Sequence, residues 1–260
     1  MSMKKYILDL TVRQTEVVGK QFVLLRLTAD EPFPEMLPGQ FVEVRVDHTP
    51  KVLLRRPISI HYVDKKTNEL GLLVQLIGEG TRWMATLAKG DKVNLVLPLG
   101  NGFTLPSSKE AHPLLIGGGV GVAPLLYLGM KLKKMGVTPT FLLGSRTENE
   151  LMQIAEFKKY GPVYITTENG AVGEQGYVTQ HSVLAREQFD QVYTCGPKPM
   201  MVAVARWAKG ADVPCEVSLE NKMACGVGAC LCCVEDTKEG NVCVCKEGPE
   251  FSTDKLSWQI

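Results

Sequence analysis

Apolar residues come in short runs over roughly the first hundred positions. Residues 22–27 (Phe-Val-Leu-Leu-Arg-Leu), 41–46 (Phe-Val-Glu-Val-Arg-Val) and 70–76 (Leu-Gly-Leu-Leu-Val-Gln-Leu) each have the length of a strand. The second alternates cleanly, as a half-buried strand does. Pro38-Gly39 and Lys89-Gly90-Asp91 mark turns. Many short strands with little helical periodicity predict an antiparallel barrel over residues 1–105, with one helix near 81–87. From about residue 112 the rhythm changes. A buried-strand run at 113–116 meets the glycine turn 117–123. Apolar residues at helical spacing follow through Leu125, Leu126, Leu128, Met130, Leu132 and Met135, closed by Gly136. Further strands are expected at 140–143, 163–166 and 191–194, and helices over 148–159, 178–186 and 199–209. Strands alternating with helices predict a doubly wound parallel sheet over residues 106–214. Residues 215–260 form a third segment, too short to bury a sizeable core alone.

Composition narrows the class without naming a chemistry. A chain of 260 residues holds two domains, or two and a small module. With 45% hydrophobic and 22% charged residues and a net charge of +1, it has no electrostatic case for nucleic acid or an anionic membrane surface. No apolar run approaches the ~18 residues of a membrane span. The start, Met1 to Leu8, has an apolar run too short for a secretory signal. A soluble, cytoplasmic chain is expected.

The third segment carries the sharpest chemical signal. Cys225, Cys230, Cys232 and Cys233 lie within nine residues, and Cys243 and Cys245 follow. Cys225-x4-Cys230-x2-Cys233 is the plant-type ferredoxin spacing for a [2Fe–2S] cluster, which needs one distant fourth thiolate. Glycines at 226 and 228 let the backbone approach inorganic sulfides and donate amides to them. Spacing does not choose between Cys243 and Cys245. The rival is structural zinc, since Cys230-x2-Cys233 is half of a zinc knuckle that Cys243 and Cys245 could close. Disulfides are disfavoured by the adjacency of Cys232 and Cys233 and the missing secretory signal. A cluster here would move electrons singly and would help hold its segment together.

Other motifs are weaker singly. Gly117, Gly118, Gly119 and Gly121 stand after a strand and open a helix, where amides and a helix N-terminus cradle pyrophosphate. The pattern is not a strict G-x-G-x-x-G, and Gly144-Ser145-Arg146-Thr147 replaces the usual acidic residue after the next strand. A tight turn without a ligand is the plain alternative. Arg55-Arg56-Pro57-Ile58-Ser59-Ile60 sets an arginine before a proline and a hydroxyl three residues on. That suits a cofactor phosphate and a flavin edge, or simply a basic edge strand. Gly78-Glu79-Gly80-Thr81 opens a helix as a second phosphate candidate. Cys195-Gly196-Pro197 ends a strand at the carboxyl edge of the sheet, where a lone cysteine is often only packing. His48, His61, His112 and His181 form no triad or ligand spacing.

Together these residues resemble the ferredoxin–NADP reductase superfamily, which joins a flavin-binding barrel carrying R-P-x-S to a nucleotide domain with G-G-G-x-G-x-A-P and C-G-P. Here these are Arg56 to Ser59, Gly117 to Pro124 and Cys195 to Pro197. Residues 218–230 and 245–251 are similar to the electron-transfer subunits of type B dihydroorotate dehydrogenases, and the likeness runs over essentially the whole chain. The resemblance implies FAD, a [2Fe–2S] cluster and NAD. It implies an FMN-containing dihydroorotate dehydrogenase catalytic subunit as partner, in a heterotetramer of two of each, with no nucleic acid and no membrane. Electrons would pass from that FMN through the cluster and FAD to NAD+ in pyrimidine biosynthesis, and the chain alone would act as an NADH diaphorase.

By the same resemblance Arg56, Pro57, Ile58 and Ser59 lie on FAD, with Ser59 near its reactive edge. Leu73, Val74, Gln75, Gly80 and Thr81 contact its adenylate and phosphate portions. The glycines 117, 118, 119 and 121, with Cys195, Gly196 and Pro197, take the nicotinamide nucleotide. No acid–base residue is required. Cys225, Cys230, Cys233 and Cys245 are the implied cluster ligands, Cys245 being preferred because the family's fourth cysteine precedes a Gly-Pro-x-Phe turn. Cys232 and Cys243 are then extra thiols. Two alternatives remain: an NAD(P)H:ferredoxin or sulfide-dehydrogenase-like reductase subunit, and a zinc-stabilised nucleotide-binding module. NAD and NADP are not distinguished, because Ser145 and Arg146 could meet a 2′-phosphate.

Overall fold

The structure is a computed structural model that describes residues 4–260. The first three residues, part of the expected short start, lie outside the described residues. Six strands close an antiparallel barrel: β1 (Tyr6–Gly19), β2 (Phe22–Thr28), β3 (Phe41–Val44), β4 (Arg56–Asp64), β5 (Glu69–Gln75) and β6 (Lys92–Leu99), in the order β1-β2-β5-β4-β3-β6. Leu10, Leu25, Val42, Ile60, Leu72 and Leu95 fill it, and α1 (Glu79–Met84) seats Met84 in the same core. The expected strands at 22–27, 41–46 and 70–76 are present. Sequence pattern does not show β4, because both its faces are engaged: Ile60 points into the barrel core while His61 reaches the second domain.

The second domain follows in chain order. β7 (Pro113–Gly118) turns through Gly119–Gly121 into α2 (Val122–Lys134). Then come β8 (Thr140–Ser145), α3 (Ile154–Phe157), β9 (Val163–Thr167), β10 (Glu174–Gln175), α4 (Val183–Arg186), β11 (Gln191–Cys195) and α5 (Lys198–Gly210). β12 (Cys215–Ser218), β13 (Val234–Thr237), β14 (Gly240–Cys243), α6 (Val244–Glu247) and β15 (Glu250–Ser252) complete the chain's main elements. The large sheet runs β10-β9-β8-β7-β11-β12-β15, parallel except where β15 pairs antiparallel with β12. The helix expected at 148–159 shrinks to a 3-10 turn and α3. Gln153 at φ 56° breaks it, while Met152 and Phe157 pin either side into the core. The helix expected at 178–186 is likewise split, with extended backbone at His181.

The sheet does not stop at residue 214. β12 and β15, both within the expected third segment, are its last two strands. Between them residues 219–249 carry the cysteines, and their apolar side chains Leu219, Val244 and Cys245 share one core with Leu114, Ile116 and Val192. A segment that size has too little surface to bury for an independent core, so it uses the neighbouring sheet. No helix among the described residues is long and apolar enough to cross a membrane.

The barrel and the sheet are tied by buried hydrogen bonds. Tyr127 of α2 donates to the Met36 carbonyl at 2.9 Å. His61 of β4 is fully buried and its Nδ1 lies 2.8 Å from the Ala123 carbonyl. A carbonyl only accepts, so Nδ1 carries the proton. Burial lowers the His61 pKa to about 4 from an ordinary 6.5. Above pH 6.5 the ring is neutral folded and unfolded, and it costs nothing. Below that the unfolded chain binds a proton that the folded chain refuses until about pH 4, so stability falls across this window by about 3 kcal/mol. His61→Gln keeps a donor for Ala123 but cannot titrate. Melting temperatures measured from pH 7.5 to 4.5 are expected to fall more steeply for the native chain than for this variant.

Candidate cofactor and cluster sites

The first site lies on the outer edge of the barrel. β3 and β4 pair so that Phe41 faces Ser59, Val42 faces Ile58 and Glu43 faces Pro57. Arg56 runs beside the start of α1: a Cβ on Gly80 would stand 3.3 Å from Arg56 Cγ. Arg56 Nη2 donates to the Leu54 carbonyl at 3.0 Å, while its buried Nε has no hydrogen-bond partner among the described residues. An orphaned guanidinium N–H beside a helix start fits a phosphate oxygen. Thr81 is less free. Its hydroxyl donates to the Gly78 carbonyl and accepts from the amides of Ile77 and Gly78, all at 3.1 Å. Leu73 and Val74 are buried in apolar cores, so only their backbone can meet a ligand. Gln75 reaches the adjoining cleft.

That cleft, about 730 Å³, opens between Phe22 and Gln75 of the barrel and the carboxyl edge of the sheet. Gly118, Gly119, Gly121, Gly196 and Pro197 line it. Gly121 is required by close approach, since a Cβ there would stand 2.3 Å from the Cys195 carbonyl oxygen. Gly117 serves packing instead, against Val122 and Leu125. Cys195 is also beneath the floor rather than on it. It is buried and its thiol pKa is pushed well up by that burial. Ser218 beside it donates to Glu250 Oε1 at 2.9 Å. On the far wall Arg146 grips Glu150 with two N–H groups, at 2.6 and 3.2 Å, and Glu168 lines the same wall. A narrow glycine turn at a helix start, facing a barrel wall of Gln21, Phe22 and Gln75, fits a dinucleotide.

The third site is the loop from Cys225 to Cys233 with α6 beneath it. Val227 and Ala229 donate their amides to Cys225 Sγ at 3.5 and 3.3 Å. Gly228 donates to Cys245 Sγ at 3.1 Å, and the Cys245 amide points at Cys233 Sγ at 3.4 Å. Burial opposes ionisation of Cys225, but the Val227 amide, the Cys230 thiol and further amides outweigh it and bring its pKa down to about 6. Cys225 interacts with Cys230, and Cys233 interacts with both Cys245 and Cys243. Thiols at ferredoxin-type spacing with backbone amides aimed at sulfur fit a [2Fe–2S] cluster. Cys243 neighbours Cys233 from β14, whereas Cys245 is the thiol tied to the loop by Gly228. Cys232 is exposed.

Sequence reasoning missed Glu43. It has no exposed surface and neither carboxyl oxygen has a hydrogen-bond partner among the described residues. Burial raises its pKa to about 7 against the pull of Arg55 and Arg56. Its only sequence signal is an acidic residue at an alternating position of a strand.

Residues 220–257 match the family described as the iron-sulfur cluster binding domain of dihydroorotate dehydrogenase B, and residues 115–206 match the oxidoreductase NAD-binding domain. The chain is 37% identical over 252 residues to the dihydroorotate dehydrogenase B (NAD(+)), electron transfer subunit, of Fusobacterium nucleatum subsp. nucleatum, covering 94% of this chain and 95% of that one. It is 40% identical over 253 residues to the protein of the same name from Listeria innocua serovar 6a, covering 95% and 96%. Among solved structures, the NADH-dependent reduced ferredoxin-NADP oxidoreductase superposes with a TM-score of 0.85 at 27% identity, covering 96% of this chain and 90% of that one. Phthalate dioxygenase reductase shares the fold at TM-score 0.67 and 16% identity, covering 97% and 96%.

Replacing the candidate fourth ligand tests the loop geometry. Cys245→Ala is expected to lose most of its iron and its broad visible absorbance, and Cys243→Ala to keep both. Iron and acid-labile sulfide per chain are the quantities to compare.

Proposed function

The chain belongs to the family of dihydroorotate dehydrogenase B electron transfer subunits, and from that premise we propose which of its residues serve the transfer. It is an oxidoreductase subunit of an NAD-dependent dihydroorotate dehydrogenase, in the pyrimidine pathway, and its cofactors are FAD, a [2Fe–2S] cluster and NAD. When bound, FAD supplies hydride exchange with nicotinamide and the cluster supplies one-electron exchange. The observation that carries the assignment of residues is the cysteine loop with amides aimed at sulfur, standing against the β3–β4 pair.

Arg56 holds the flavin phosphate through its orphaned Nε–H, and Ser59 presents its hydroxyl to the flavin edge. Pro57 and Ile58 keep that strand rigid and apolar. Gly80 leaves room beside Arg56, and the backbone of Leu73 and Val74, with Gln75, borders the adenylate. Thr81 works indirectly, by fixing the turn that opens α1. The amides of Gly118, Gly119 and Gly121 cradle the nicotinamide dinucleotide, Gly196 and Pro197 shape the nicotinamide end, and buried Cys195 supports that floor. Cys225, Cys230, Cys233 and Cys245 would hold the cluster. No side chain need move a proton as a catalytic acid or base.

The nucleotide is NAD(H). Arg146 is the cation that lines the cleft, and Glu150 occupies it with two hydrogen bonds; Glu168 adds a second carboxylate to that wall. A 2′-phosphate would meet negative charge there. The partner is an FMN-containing catalytic subunit, two copies with two of this chain. It docks over the cluster loop, where Leu231 is 65% and Val227 40% exposed. The complex works in the cytoplasm, where such thiols stay reduced.

The test is reconstitution. Mixed with the FMN-containing dihydroorotate dehydrogenase subunit, the holo chain should give NAD+ reduction by dihydroorotate, which neither component shows alone; a mixture that reduces no NAD+ while both parts retain their cofactors would sink the proposal. Glu150→Gln should release Arg146 and raise kcat/KM for NADPH relative to NADH by about tenfold, the worth of one hydrogen bond to a charged group. Diaphorase kinetics with both nucleotides measure it.

A further inference from the structure

Glu43 stands where the flavin-bearing strands meet the cluster loop. Its side chain presses on that loop: a Cβ at residue 226 would come 2.7 Å from Glu43 Cγ and 3.0 Å from its Oε1. Gly226, at φ 64°, therefore gives way to the carboxyl both in space and in backbone conformation. The other neighbours of Glu43 include Pro57 and Val96 across the two flanking strands and Leu99, whose Cδ1 lies 3.1 Å from the same point.

Neither cation that acts on Glu43, Arg55 or Arg56, hydrogen-bonds its carboxyl. Arg55 spends its guanidinium on the Glu43 main-chain carbonyl at 3.2 Å, the Asn94 carbonyl at 3.1 Å and Asn94 Oδ1 at 2.5 Å. A buried polar group left without a partner is destabilising, and a leucine would fill the volume without that cost. The carboxyl thus has capacity for a hydrogen bond that the chain does not use. It is directed at the loop whose preceding residue is the first candidate ligand, Cys225.

We propose that Glu43 is a positioning residue for electron transfer, whose buried carboxyl, wedged between the β3–β4 pair and Gly226, donates its O–H into the sulfur shell of the cluster and sets its reduction potential. The inference rests on the cluster reading given above. Hydrogen bonds to the sulfurs are among the terms that set such potentials, and a residue anchored in the flavin-bearing strands couples that term to the distance between the two centres.

Two variants of the holo chain decide it. Glu43→Gln keeps the size and a donor; Glu43→Leu keeps the size and removes every polar atom. Iron, acid-labile sulfide and FAD are counted first, then the cluster is titrated by EPR. The expected result is unchanged iron in both, a shifted midpoint potential and altered g values in the leucine variant, and native values restored in the glutamine variant. Native potential and g values in both variants would overturn the proposal, as would equal shifts in both. Loss of iron from both would make Glu43 a mechanical strut and overturn it too. If the native chain itself holds no iron and sulfide, the cluster reading has failed, which is a different result from any of these.

Discussion

The cysteine-bearing segment has no core of its own, and this constraint organises the molecule. Residues 219–249 are held at both ends by strands of the large sheet, β12 before them and β15 after. Cys233 and Cys245, although implied ligands, are packed in the same apolar core as Leu114 and Val192. The loop that presents Cys225 and Cys230 is thus carried by the nucleotide domain while it leans on the barrel at Gly226 and Glu43. Three chemical centres are brought into one body because the smallest part cannot stand alone.

Close backbone approach does the comparable work at the cleft. Gly121 lies against the carbonyl of Cys195, so the strand–helix turn after β7 and the end of β11 form one floor. The barrel supplies the opposite wall with Phe22 and Gln75. The relation between the two walls is kept by His61 on Ala123 and Tyr127 on Met36. Buried hydrogen bonds of this kind are costly to leave unmade, which makes the interdomain geometry definite rather than merely apolar.

Electrostatics separates the sites by what each is to hold. At the barrel edge an arginine N–H is left orphaned; on the cleft wall the arginine is already matched by a glutamate. The same side-chain type therefore keeps an unpartnered N–H in one place and is matched by a carboxylate in the other. Neither state is written in Arg56 or Arg146 itself. Each follows from what lies within 3 Å.

Local pattern by itself determined the three-part grammar: short strands, then strand–helix alternation, then clustered thiols. It also narrowed the Cys225 loop to a [2Fe–2S] cluster or structural zinc, since ligand spacing is a local property. The R-P-x-S, glycine-rich and C-G-P segments were legible for the same reason, as each is a short stretch at an element's end. Tertiary structure alone decided what depends on residues far apart in sequence. The sheet runs on into 215–218 because β12 needs β11 beside it, and β15 needs β12. Cys195 and Gly117 turned out to lie under the cleft rather than in it, and Cys245 rather than Cys243 receives the Gly228 amide. Arg146 is masked by a residue four positions on that the turn at 148–150 brings back. Glu43 acquires meaning only when a loop some 180 residues later folds onto it. Burial and hydrogen bonding are sums over neighbours, and the chain order does not say who those neighbours are.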